Sequence, residues 1–193
     1  MTIARNSLLT LEAYAKVRQD MRNRVIEHKK LRAVALGNHL TFLFEDETTI
    51  RYQIQEMLHI EKIFDEDGIQ GELDAYLPLV PDGSNLKATM QIEYASEVER
   101  RAALGRLIGI EDRVFMQVAG EAPVYSIADE DLERDNAGKT SAVHFVRFEF
   151  TPAMKAHLRE GAALMIGCDH PNYRVPTQTI NDEARASLVS DLD

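Results

Sequence analysis

Residues 86–94, LKATMQIEY, decide the fold. Leu86, Ala88, Met90, Ile92 and Tyr94 alternate with Lys87, Thr89, Gln91 and Glu93. Successive side chains of a strand point to opposite faces, so this spacing describes a strand with one buried and one polar face. A Pro-Asp-Gly turn at 81–83 leads into it, and ASEVERRAALGRL (95–107) reads as the helix that follows.

Toward the N-terminus, VALGNHLTFLF (34–44) reads as two short strands around Gly37-Asn38. Before them, Thr10 caps a helix running to about residue 31, with Glu12 in its first turn where the helix dipole favours an acid. Tyr14, Val17, Met21, Val25 and His28 form its apolar stripe. After Asp46, YQIQEMLHIEKIF belongs to a helix expected over 47–64, stopped by DEDG (65–68) and followed by a short helix carrying ELDAYLPL.

Toward the C-terminus, RVFMQV, PVYSIA, SAVHFVRFEF and AALMIGCDH are strands. Thr151-Pro152 opens a helix before the last of them. Strands come in consecutive runs with the helices clustered, which predicts an α+β fold. The expected architecture is one domain over 1–175, with a mainly antiparallel sheet, helices around it and a long basic N-terminal helix. A polar tail, 176–193, is expected as a loosely attached helix.

Composition excludes several chemistries. A formal charge of −10 opposes non-specific binding to nucleic acid or anionic membranes. The first 32 residues nevertheless carry eight basic side chains against three acidic ones. That basic helix either presents a solvated face or docks on an acidic surface of its own body, a second copy or a partner. Cys168 is the sole cysteine, so no intramolecular disulfide or CxxC pair forms. A secretory leader and a run of about 18 apolar residues are both absent, which places the chain in the cytoplasm by expectation.

Two motifs invite a sharper reading. Gly138-Lys139-Thr140 resembles the end of a phosphate-binding loop, but Glu133 occupies the position of its first glycine and a strand follows instead of a helix. Glu56-Met57-Leu58-His59 has the E-x-x-H spacing of helical di-iron proteins, yet the chain has no second copy. A mononuclear centre holding one divalent metal ion remains as a reading, with Glu56, His144 and His170 as its ligands. His144 shares a strand face with Val146, Phe148 and Phe150, and an imidazole set there must find partners for its nitrogens. Asp169-His170 ends a strand beside an irregular loop, a common location for sites. Glu61, on the apolar stripe of the 47–64 helix, needs a cation, for which Lys87 or an N-terminal arginine is a candidate. The catalytic candidates are therefore His144, His170, Asp169, Glu56 and Lys87.

HKKLRAVALG, FEDETTIRYQIQEML, ELDAYLPLVPDGSNLKATMQIEY, DLERDNAGKTSAVHFVRFEF and GCDHPNY together resemble a bacterial family, domain-of-unknown-function family 3501. The resemblance covers roughly residues 5–175. It implies an association with redox or oxidative-stress metabolism, through a rubrerythrin-like protein and an iron-sulfur protein. It also implies arginine as the usual residue at the place of His59, which makes the E-x-x-H incidental. Two functions follow as expectations. One is an accessory or binding component, acting on a protein partner or a small ligand and forming a homo-oligomer. The other is an enzyme or mononuclear metal protein with a His/carboxylate site.

Overall fold

In a computed structural model, which describes residues 3–128, 130 and 138–193, nine strands form two antiparallel sheets around one core. Helix α1 (Leu11–Lys30) is capped by the Thr10 hydroxyl, which accepts the Ala13 amide. Strands β1 (Ala33–Leu36) and β2 (Leu40–Glu45) follow as a hairpin. Gly37 in its turn has φ +63°, and a Cβ there would fall 2.6 Å from the Tyr173 hydroxyl, so both backbone and space demand glycine.

Asp46 and Thr49 form a reciprocal capping box that starts α2 (Glu47–Glu61). The helix ends three residues earlier than its periodicity predicts, because Lys62 takes the left-handed conformation (φ +59°). Positions 62–64 therefore leave the apolar stripe. Phe64 is 79% exposed and Glu61 is exposed, so the acid needs no buried counter-ion. Asp65 does not stop a helix; its carboxylate caps the next one, α3 (Glu66–Tyr76).

Strand β3 (Asn85–Ile92) pairs with β2 and alternates as its sequence predicts, Lys87, Thr89 and Gln91 facing away from the core. After α4 (Glu97–Arg106) come β4 (Val114–Val118), β5 (Val124–Tyr125) and β6 (Ile127–Ala128). The segment read as one strand, PVYSIA, is two. Ser126 breaks it, its hydroxyl donating to the Glu111 and Val114 carbonyls, so β5 joins one sheet and β6 the other. Strand β7 (Val143–Glu149), α5 (Pro152–Arg159), β8 (Leu164–His170), β9 (Tyr173–Thr179) and α6 (Asp182–Val189) complete the chain. The acidic segment DEDLERDNAGKT (129–140), which reads as a long loop between strands, lies for residues 129 and 131–137 outside the described residues.

The sheet orders are β1-β2-β3-β7-β6 and β5-β4-β8-β9. Side by side, β5 and β6 connect one pair of sheet edges. At the opposite pair, Tyr173 and Gln178 of β9 donate to the β1 carbonyls of Leu36 and Ala35. These contacts tie β9 to β1 and hold the two sheets together at that side. Inside, Phe42, Phe44, Met90, Met116, Phe148 and Ile166 form the core, with no side chain among them above 1% exposure.

The expected loose tail is corrected. Residues 176–179 belong to β9, and Ile180, Ala184, Leu188 and Leu192 are part of the main core. Their spacing gives α6 a narrow apolar face on a polar helix, which reads as a tail until the surface it covers is known.

A second, smaller core joins the segment before α1 to α2 and α3 through Leu8, Ile50, Ile54, Leu58, Ile69 and Leu73, with Leu11 of α1 packed against it. The basic segment is clamped to it: Arg5 pairs with Glu66, and Arg18 grips Glu56. No helix among the described residues is long and apolar enough to cross a membrane.

Candidate functional site

The five residues singled out from sequence are placed apart. Glu56 lies between α1 and α2, where its carboxylate accepts Arg18 Nε and Nη2 at 2.8 Å each and the Tyr14 hydroxyl at 2.5 Å. The Arg18 hydrogen bonds, with Tyr14 and the Arg18 charge adding, outweigh burial and hold its pKa down at about 2. A carboxylate so occupied, accepting three hydrogen bonds from α1, is a helix-to-helix clamp.

Because that pKa lies below the ordinary 4.5, the stabilisation is complete above about pH 4.5 and disappears as pH falls through about 2. Acid titration of the wild type is expected to show this loss of stability, and Glu56→Gln to weaken the protein at neutral pH while flattening that part of the curve. Parallel acid-denaturation curves for the two proteins would remove the clamp from the account.

His144 is fully buried in the main core on β7. Its Nε2 lies 2.8 Å from the Thr140 hydroxyl, 3.1 Å from the Ser141 carbonyl and 3.8 Å from a Glu111 carboxylate oxygen. Thr140, from the Gly-Lys-Thr decoy, thus anchors an imidazole. His170 is also buried. Its Nε2 faces the Ile108 carbonyl at 3.2 Å and its Nδ1 accepts the Asn172 amide at 3.2 Å, which fixes the neutral tautomer. Asp169 points to the opposite face of the same strand, accepting the Tyr125 hydroxyl at 2.8 Å. Adjacent strand residues cannot share a site on one face. Cys168, also buried, has its thiol pushed up to about 11, chiefly by burial. Among the described residues, no three His, Cys, Asp or Glu side chains are grouped to hold a metal ion.

Lys87 is the exception. It stands on the outer face of β3, in the floor of a cleft of about 750 Å³ between that sheet and the α2–α3 layer. This volume falls in the roughly 300–1,000 Å³ range of small-molecule sites. Met57, Tyr76, Leu79, Ile127 and Phe145 give the cleft largely apolar walls. A smaller hollow of about 200 Å³ adjoins it, sharing Glu45, Tyr76, Leu79 and Phe145.

The floor is a cross-strand row, Glu45–Lys87–Arg147–Ile127. Arg147 holds both Glu130 oxygens at 2.9 Å and also Glu149. Glu45 accepts the Thr49 hydroxyl at 2.6 Å and the Thr89 hydroxyl at 3.1 Å. Lys87 Nζ donates to the Pro78 carbonyl at 2.6 Å. Burial lowers its pKa, with Arg147 adding to the effect against Asp82, Glu130 and Glu149. Across the cleft, burial and then Glu61 raise the pKa of Glu72. Two groups shifted toward neutrality in one apolar cleft are a site signature.

Sequence reasoning missed the other charged centre. Arg32 is 1% exposed and donates to the carbonyls of Phe44, Glu45 and Ser187 and to Asp191, with Asp46 at 3.6 Å. Asp46 in turn contacts His28 at 2.5 Å. Every donor of this guanidinium is occupied by the fold, which marks the cluster as structural.

Fold and site thus define an α+β protein with a double-sheet core and a lateral cleft. The chain belongs to the family described as "Protein of unknown function (DUF3501)", whose model matches residues 2–192. A comparison with curated proteins gives no match. The chain is similar to a solved structure from Burkholderia pseudomallei, described as a novel protein of unknown function. The identity is 72%, both chains are covered over 100% of their length, and the TM-score is 0.95.

Proposed function

We propose that this protein is a binding component whose cleft takes a small, largely apolar molecule. The cleft itself carries the reading: about 750 Å³, walled mostly by apolar side chains, with Lys87 in its floor. A catalytic or metal centre built from Glu56, His144, Asp169 and His170 has less support, because those four are spent on protein partners in separate parts of the fold. An accessory role beside rubrerythrin-like or iron-sulfur proteins rests on the family resemblance, and a co-expression pull-down tests it.

Ala75, exposed on α3 at the cleft wall, offers the direct test. Ala75→Trp is expected to fill the cleft at a stability change within about 0.5 kcal/mol, as for surface substitutions generally. Native mass spectrometry and ligand-observed NMR with uncharged apolar fragments should then show binding to the wild type and its loss in the variant. Fragments that bind both proteins alike would remove the cleft as the site.

A further inference from the structure

We propose that the Lys87 amine is a nucleophile that captures a small neutral aldehyde or ketone in the cleft as a reversible imine, an inference that rests on the ligand-binding reading above. Among the described residues the hydrogen bond of Lys87 goes to the Pro78 carbonyl, and no carboxylate lies at ion-pair distance. The acids nearest in the sheet are committed elsewhere, Glu45 to two threonine hydroxyls and Glu130 and Glu149 to Arg147. The cross-strand neighbour of Lys87 is a like charge, Arg147. Burial first, and Arg147 after it, disfavour the ammonium against the opposing pull of Asp82, Glu130 and Glu149, and the net direction is a lowered pKa. Desolvation beside another cation is a known way to activate a lysine amine.

The lining selects the substrate. It carries four acids, Glu45, Glu72, Asp74 and Glu130, against Lys87 and Arg147. In a chain of formal charge −10 this field repels anions, while a neutral carbonyl compound enters without that cost. The chemistry balances with water alone. The Nζ lone pair attacks the carbonyl carbon, and the nitrogen's proton passes to the oxygen to give a carbinolamine. Departure of that hydroxyl as water leaves the imine, and addition of water releases both partners unchanged.

Reductive trapping tests this. The full chain is incubated with hexanal, benzaldehyde or cyclohexanone and sodium cyanoborohydride, and adducts are mapped by peptide mass spectrometry. The expected result is at least tenfold faster labelling of Lys87 than of exposed Lys16, with labelling extending to lower pH than for an ordinary lysine. That selectivity should disappear in Ala75→Trp, and Lys87→Arg should fold normally yet give no site-specific adduct. Labelling that merely follows exposure, or an unlabelled Lys87, overturns the inference. If the same carbonyl compounds still bind by NMR in an Ala75-dependent manner, the imine fails and the cleft reading survives. If they do not bind there, both fail.

Discussion

Arg32→Ala is expected to cost about 3–5 kcal/mol of unfolding free energy, the range for removing one partner of a buried charged cluster. Arg32 is almost wholly enclosed, and its guanidinium links the end of α1, strand β2 and the segment after α6. Without it, Asp191 and Asp46 stay behind in a site of low exposure. Burial already raises the Asp191 pKa in spite of Arg32, so Asp191 alone would take up a proton. Asp46 differs: burial works to raise it, yet Arg32, the Thr49 amide and His28 together lower it. The variant should therefore lose most at neutral pH and recover part of its deficit in Arg32→Met/Asp191→Asn. Urea denaturation of the single and double variants measures this. A single-variant loss under about 1 kcal/mol, the size of an exposed pair, would show that the cluster is solvated and dispensable.

Leu188→Ala should cost about 2–5 kcal/mol, as for other buried leucines cut to alanine. Leu188 is 0% exposed in the main core, beside Ala184, Ile180 and Leu192. The same helix is pinned at Arg185, which donates to the Ala162 and Leu158 carbonyls, and by Arg32 from below. A chain cut after residue 180 should lose these contacts together and show no cooperative thermal transition. If it unfolds at the wild-type temperature, α6 is the dispensable tail that its composition suggests.

Much of the fold was legible in short windows. The alternation in 86–94 placed β3 with the right faces, and Thr10 and Thr151 marked helix starts that the structure reproduces. The errors have local causes as well. One left-handed residue, Lys62, shortened α2 and turned Phe64 into solvent, and Glu61, still on the helix, is exposed at its end. Ser126 split one apparent strand between two sheets by taking two backbone carbonyls. His144, read as an imidazole on an apolar face in need of partners, is fully buried and meets the Thr140 hydroxyl and the Ser141 carbonyl, whereas the burial of His170, read only as a strand end beside a loop, came from the structure.

The candidate site was much less legible. Only Lys87 among the five residues lies in the cleft, and its sequence context marks it as one polar residue of an alternating strand. The cleft is assembled from β2, β3, β6, β7 and the α2–α3 layer, and the E-x-x-H of α2 gave no sign of it. Arg32 and Asp191 stand 159 positions apart.

By itself the sequence determined most of the elements, the buried face of β3, the lack of a second cysteine for an intramolecular disulfide and the net acidic charge. Each of these is a property of neighbouring residues or of the sum of charges. Tertiary structure alone decided which polar groups meet: that Glu56 is gripped by Arg18, that α6 closes the core, and that Lys87 faces a largely apolar hollow with no carboxylate at ion-pair distance among the described residues. The reason is physical. Periodicity is set by backbone geometry over a few residues, whereas burial and charge pairing depend on the path of the whole chain through space.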